Sequence, residues 1–348
     1  MNRLIAVALA SAWVAGSAQA HHSRAPFDLT QGRVLKARIT DVRWTNPHVF
    51  YVGEVVGDSG QKQEWTFEGH SIAGLTRLGW SKDTLKAGDE VEITVNPHRD
   101  AGKRFALIDH VRMPDGRVMY SIGQPPAPLV QAPVRPSTDM SGNWQFRFPG
   151  TPEQVRQRVL LGAGGPPKDL PYTEKALAQV AAYDPLKHPA LTCEPLGLPS
   201  LLMTVYEYKW TRSADRVVIQ KEHYEEATRT IYLKSTTPPA GYKPNPVGFS
   251  TGRFEPDGTF VVETTRFSPL RWGNGIGVDS SDRKRIVERY KLIDGGMGMS
   301  LSYTLEDPVY FTKPVTREGV FFKKPDSEFA QQPPCDLDAA QQHLKFDK

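Results

Sequence analysis

Alternation is the first signal in this chain. From Gly32 to Trp44 apolar and polar residues change places at period 2, with Leu35, Ala37 and Ile39 on one face. Val49 to Val56 and Gln63 to Phe67 repeat the pattern across Gly57-Asp58-Ser59-Gly60, which reads as a hairpin turn. Ser71 to Leu78 shifts to a short helical pattern closed by Gly79. Val91 to Val95 and Phe105 to Met113 return to strand. Three strands, a short helix and two strands is the order of a small OB-like barrel.

The pattern then breaks. Gln124 to Pro136, QPPAPLVQAPVRP, carries five prolines and reads as an extended spacer, because proline donates no backbone hydrogen bond. Beyond it, Thr173 to Tyr183 is helical in composition, with Thr173 as N-cap and Pro185 past the end. Leu202 to Trp210, Val217 to Tyr224, Arg229 to Lys234, Thr259 to Arg266, Arg285 to Ile293 and Met299 to Glu306 read as strands. Pro256-Asp257-Gly258 and Asp294-Gly295-Gly296 supply hairpin turns. Sequential strands on short connections predict a larger antiparallel meander barrel with a short helical insertion.

The start of the chain reads as an address. Arg3, the apolar run Leu4 to Val14 and Ala18-Gln19-Ala20 have the layout of a cleaved export signal. The expected organisation is therefore a signal over 1–20, an OB-like domain over 21–123, a linker over 124–136 and the larger barrel over 137–348. Cleavage near Ala20 predicts a periplasmic or secreted protein. Export in turn makes the two cysteines, Cys193 and Cys335, a disulfide pair. Closing that loop stabilises a fold by about 4–5 kcal/mol in the chain-entropy model.

Composition adds little beyond this. Gly and Pro make up 58 of 348 residues, which favours turn-rich β structure. The formal net charge of +4 is too small to argue for nucleic acid, and no second long apolar run predicts a transmembrane segment.

Candidate chemistry lies in both halves. Six of the nine histidines, at 21, 22, 48, 70, 98 and 110, fall in the first third of the chain. After cleavage the amine and imidazole of His21 would chelate a metal. His48 and His98, from the repeated Asn-Pro-His turns, would supply further nitrogen ligands, a set that suits copper. In the second half, period 2 places Val217, Ile219, Lys221, His223 and Glu225 on one face, with Tyr224 on the other. Glu288 shares an apolar row with Ile286, Tyr290 and Leu292, so burial requires a partner such as Arg253, Arg266 or Arg229, or a raised pKa. His223, Tyr224 and Glu288 form a candidate acid/base set. Trp144, Tyr206, Tyr208, Trp210, Tyr232, Arg253, Arg266 and Tyr290 are candidate ligand contacts. Gly248-Phe249-Ser250-Thr251-Gly252 matches the nucleophile elbow of hydrolases, but no helix follows it. Gly273 to Gly277 reads as a flexible loop.

Two resemblances accompany these readings. Gly142-Asn143-Trp144 on a first strand, followed by a helical excursion and a meander, resembles the lipocalin-like (calycin) barrels, which implies a small apolar ligand in the lumen. His21-His22-Ser23, Asn46-Pro47-His48, Leu85-Lys86-Ala87-Gly88-Asp89 and Pro114-Asp115-Gly116 resemble an uncharacterised family of exported proteobacterial two-domain proteins. The expected function is exported binding of a small apolar or aromatic molecule in the second barrel. The alternatives are a lyase, hydratase or isomerase acting in that barrel, or a copper-binding protein centred on His21.

Overall fold

The computed structural model describes residues 26–57, 60–121, 134–147, 165–204, 206–222, 228–325, 329 and 332–346. The protein is mainly β, built as two barrels. In the first, β1 (Arg33–Arg43), β2 (Phe50–Val56), β3 (Lys62–Glu68), β4 (Glu90–Pro97), β5 (Phe105–Arg112) and β6 (Val118–Tyr120) run in the order β3-β2-β1-β4-β5-β6. A parallel pairing of Thr66–Glu68 with Phe105–Leu107 closes β3 onto β5, giving the OB-like arrangement. The helix Ile72–Arg77 sits between β3 and β4, capped by the Ser71 side chain, which accepts from the Gly74 N–H. Leu35, Ala37, Ile39, Trp65, Phe67, Ile93 and Ile108 fill this barrel, with Leu75 of the helix beneath them.

The second barrel takes nine strands. They are β7 (Gly142–Arg147), β8 (Glu207–Arg212), β9 (Arg216–Lys221), β10 (Arg229–Tyr232), β11 (Phe249–Phe254), β12 (Phe260–Thr265), β15 (Arg285–Ile293), β16 (Gly298–Glu306) and β17 (Val315–Lys324). β13 (Leu270–Gly275) and β14 (Val278–Ser280) form a separate hairpin. All barrel pairings are antiparallel except a short parallel one between β10 and β11. The sheet therefore closes through a crossover between β10 and β11, where a pure meander would have a hairpin.

Several strands differ from their sequence expectations for identifiable reasons. β11 and β17 carry Gly252 and Gly319, which weaken the strand pattern. A Cβ at Gly252 would run into Phe260 and Ile231, and one at Gly319 would meet the Phe146 ring. Each glycine therefore lets a core side chain lie across the strand. The Gly273–Gly277 loop is instead the end of the β13–β14 hairpin. Its turn is held by the Asn274 Nδ2 donating to the Asp279 carbonyl and to Asp307. Leu202, expected to open a strand, ends a 3-10 turn (Ser200–Leu202), and β8 begins five residues later.

The 195–202 stretch lies over one end of the second barrel as a plug. The Tyr208 hydroxyl donates to the Leu201 carbonyl at 2.8 Å, and Lys284 Nζ donates to the carbonyls of Leu198 and Gly273. Two residues before the plug, Cys193 is disulfide-bonded to Cys335. The tail around Cys335 then reaches the first barrel. Asn46 donates from Nδ2 to the Pro333 carbonyl and accepts at its own carbonyl from the Asp336 N–H, and Phe346 stacks on Phe105 at 4.5 Å. Arg77, at the end of the first-barrel helix, pairs with Glu207 and Glu222 of the second barrel, both almost wholly buried.

Candidate functional site

The interior row of β15 carries Ile286, Glu288 and Tyr290, as the period-2 pattern requires. Register sets Val262 beside Glu288 and Phe260 beside Tyr290 on β12, while Ser250 of β11 faces Thr264 of β12. Arg229, the first residue of β10, reaches into the middle of this surface. Its Nη1 and Nη2 each donate to one Glu288 oxygen at 2.7 Å, its Nε donates to Ser250 Oγ at 2.9 Å, and Nη2 also donates to Thr264 Oγ1 at 2.6 Å. The Tyr290 hydroxyl donates to Glu288 Oε2 at 2.6 Å. Glu288 is 0% exposed and Arg229 5%. A bidentate guanidinium–carboxylate pair with additional donors and acceptors is the geometry that makes such burial tolerable. Burial first, and then the Glu288 charge, push the Tyr290 phenol well above its ordinary range, so it stays a hydroxyl donor.

A void of about 30 Å³ lies between this network and the plug. Leu198, Leu201, Leu202 and Val247 cover it, Tyr208, Trp210, Ile219, Tyr290 and Phe321 form its wall, and Lys221 and Arg229 bring cations to it. Space of this size holds about one or two waters, whereas ligand pockets are roughly tenfold larger or more. With the plug seated, the barrel centre is packed rather than open.

Of the candidate ligand contacts, Tyr208, Trp210 and Tyr290 line this void. Trp144 is fully buried but donates from Nε1 to the Met140 carbonyl at 2.9 Å, away from the void. Tyr206 lies 5.6 Å from Lys221 Nζ, ahead of β8, with burial pushing its phenol up to about 12. Tyr232 stacks on Phe249 at 5.5 Å, off the interior row. Arg253 and Arg266 are exposed and do not reach Glu288, whose guanidinium partner is Arg229. In the acid/base set, His223 and Tyr224 lie outside the described residues. Ser250 of the elbow-like motif is buried at the second position of β11 and accepts from Arg229, a structural position.

The histidine readings divide similarly. His21 lies outside the described residues. His48 Nδ1 pairs with Glu68 Oε1, and His98 Nδ1 accepts from the Asp100 N–H at 3.0 Å. Both rings border one apolar cluster, His48 against Phe50 and His98 against Phe27. Among the described residues no three His, Cys, Asp or Glu side chains gather where a metal ion would sit.

Sequence reasoning missed the plug, and with it the void. Leu198, Leu201 and Leu202 carry no periodic signal, because they belong to turns. Lys221 and Ile219 were visible on one face of β9, and Arg229 was among the partners named for Glu288.

Against known proteins, the similarity is confined to the first part of the chain. Residues 8–107 match the model of a family of unknown function (DUF6152), a stretch that ends within β5. No curated protein and no solved structure matches the chain.

Proposed function

We propose that the protein is an exported binder of a small apolar or aromatic molecule, held in the second, lipocalin-like barrel beneath the 198–202 plug. The observation that carries this reading is the void itself. It lies where plug and barrel meet, is lined by Leu198, Leu201, Leu202, Trp210, Ile219 and Phe321, and has charged groups at its edge. Apolar walls with a few convergent polar groups are the usual composition of small-molecule sites. Occupancy requires the plug to lift, since the closed void is too small for such a ligand. The Cys193–Cys335 disulfide supports export to an oxidising compartment such as the periplasm. Both Glu288 oxygens are engaged by Arg229 and Tyr290, which favours binding over acid/base turnover.

Titration of the full chain with indole and with naphthalene, followed by tryptophan fluorescence, tests the reading. Saturable binding at one site, abolished in the void-filling variant Ile219→Trp, is the expected result. Absence of saturable binding to either probe, or binding unaltered in Ile219→Trp, overturns it.

A further inference from the structure

A second cluster of reactive groups lies on the outer face of the first barrel. Thr94 of β4 and His110 of β5 are cross-strand partners, and Thr94 Oγ1 stands 3.1 Å from His110 Nε2. The other ring nitrogen, Nδ1, lies 2.7 Å from Asp109 Oδ2. Neighbours along a strand ordinarily point to opposite faces. Here Thr94 pairs with His110 and Val95 with Ile108, so Asp109 is the extra residue of a β-bulge, a device that re-aims side chains. The Ser121 N–H donates to the Asp109 carbonyl at 2.8 Å and fixes the bulge from beyond β6. An ionised carboxylate only accepts, so Nδ1 carries the proton of the neutral imidazole. Nε2 then presents its lone pair, and the Thr94 hydroxyl donates to it. The Tyr120 ring packs on that of His110 at 5.3 Å and limits its rotation.

We propose that Thr94, His110 and Asp109 are the catalytic residues of an acyl-transfer site that hydrolyses short-chain carboxylic esters, a function independent of the binding reading for the second barrel. Hydroxyl, imidazole and carboxylate in series, each within hydrogen-bond reach of the next, is the arrangement that activates a weak nucleophile. The His110 and Asp109 side chains are 26% and 38% exposed, so a substrate reaches them without rearrangement. A groove of about 640 Å³ runs along the same face, lined by Lys36, Glu92 and Arg112 among others. These three stand two residues, about 7 Å, along their strands from the rung that holds Val34, Thr94 and His110. That volume suits a small molecule, and Val34, 62% exposed beside Thr94, offers apolar surface to a short acyl chain. In the reaction Thr94 Oγ1 attacks the ester carbonyl carbon as its proton passes to His110 Nε2. The bond to the alcohol oxygen breaks, and the alcohol leaves with that proton. Water then attacks the acyl-Thr94 ester, giving its proton to His110, which returns it to Oγ1 as the acid departs. Asp109 holds the imidazole tautomer and offsets the charge of the imidazolium.

The test uses p-nitrophenyl acetate and p-nitrophenyl butyrate with the full chain at neutral pH, followed by nitrophenol release. Saturable turnover is expected, together with an acetyl group on Thr94 when the reaction is quenched in acid and the peptides are weighed. Thr94→Val and His110→Gln should each lower kcat/KM by about a hundredfold or more, the usual worth of a positioned proton acceptor and its nucleophile. Asp109→Asn should lower it by about tenfold or more, because the tautomer is no longer held. Thr94→Ser keeps the hydroxyl and should keep the activity. Urea midpoints confirm that each variant is folded, and the acetyl adduct on the wild type reads the assignment even if one is not. No turnover of either ester above buffer overturns the proposal. So does a rate unchanged in Thr94→Val, which marks His110 as an exposed imidazole attacking the ester alone, or an acetyl group found only on another residue.

Discussion

The two barrels bury similar strands but fill their centres with different chemistry. The first packs Leu35, Ile39, Phe67, Ile93 and Ile108 against one another. Its one buried phenol, Tyr51, has a hydroxyl with no hydrogen-bond partner. The second encloses a guanidinium, a carboxylate and the Tyr290 phenol, joined by short hydrogen bonds. The first centre is what hydrophobic collapse produces. The second needs every donor and acceptor placed, since a half-satisfied buried ion network costs more than it contributes. A network of that kind beside a void supports the proposed placement of a ligand in the second barrel.

The widest gap between the barrels should appear on substituting residues of equal burial. Glu288→Leu leaves the Arg229 charge unpaired and should cost about 3–5 kcal/mol. Ile93→Val, at a site equally buried in the first barrel, should cost only about 1 kcal/mol. Urea unfolding of the full-length variants measures both, and similar losses would erase the distinction.

Next in size is a pH effect confined to the second barrel. Burial lowers the Lys284 ammonium to about 7, with Asp307 opposing. The folded protein thus releases this proton before the unfolded chain does, so the contribution is fully present above about 10.5 and lost as pH falls to about 7. Relative to Lys284→Met, the wild type should gain roughly 3 kcal/mol between pH 7 and 9.5. Parallel thermal melts of the two proteins across that range would show it, and a constant difference would refute it.

The smallest effects differ in sign, which makes them the sharpest comparison. Tyr290→Phe removes a donor from Glu288 and should destabilise by about 1.5–3 kcal/mol. Tyr51→Phe removes a buried hydroxyl that has no partner, and should raise stability by up to about 1 kcal/mol. Both are read from urea midpoints. Losses of the same sign would mean that Tyr51 has a solvent partner inside the first barrel.

Much of this contrast was legible before any coordinates. Alternation put Ile286, Glu288 and Tyr290 on one face, and the rule that buried charge needs a partner brought Arg229 into consideration. Choosing Arg229 over Arg253 and Arg266 was beyond the pattern. The three lie on or beside different strands, and only the parallel pairing of β10 with β11 carries Arg229 across to β15. The candidate aromatics show the same limit. Tyr208, Trp210 and Tyr290 line the void while Tyr232 does not, because facing inward depends on strand parity relative to a closed barrel.

The sequence by itself determined the local choices: strands where polarity alternates, a cap at Thr173, and two cysteines suited to a bridge. Those follow from forces acting over a few residues, or from redox chemistry that needs no geometry. Tertiary structure alone decided the plug, the partner of Glu288 and the buried indole N–H of Trp210 that has no hydrogen-bond partner. Each depends on groups far apart in the chain, such as Leu198 and Lys284 or Arg229 and Glu288, meeting in a place that water has left. No local pattern encodes such a meeting, because its energy exists only once the barrel has closed.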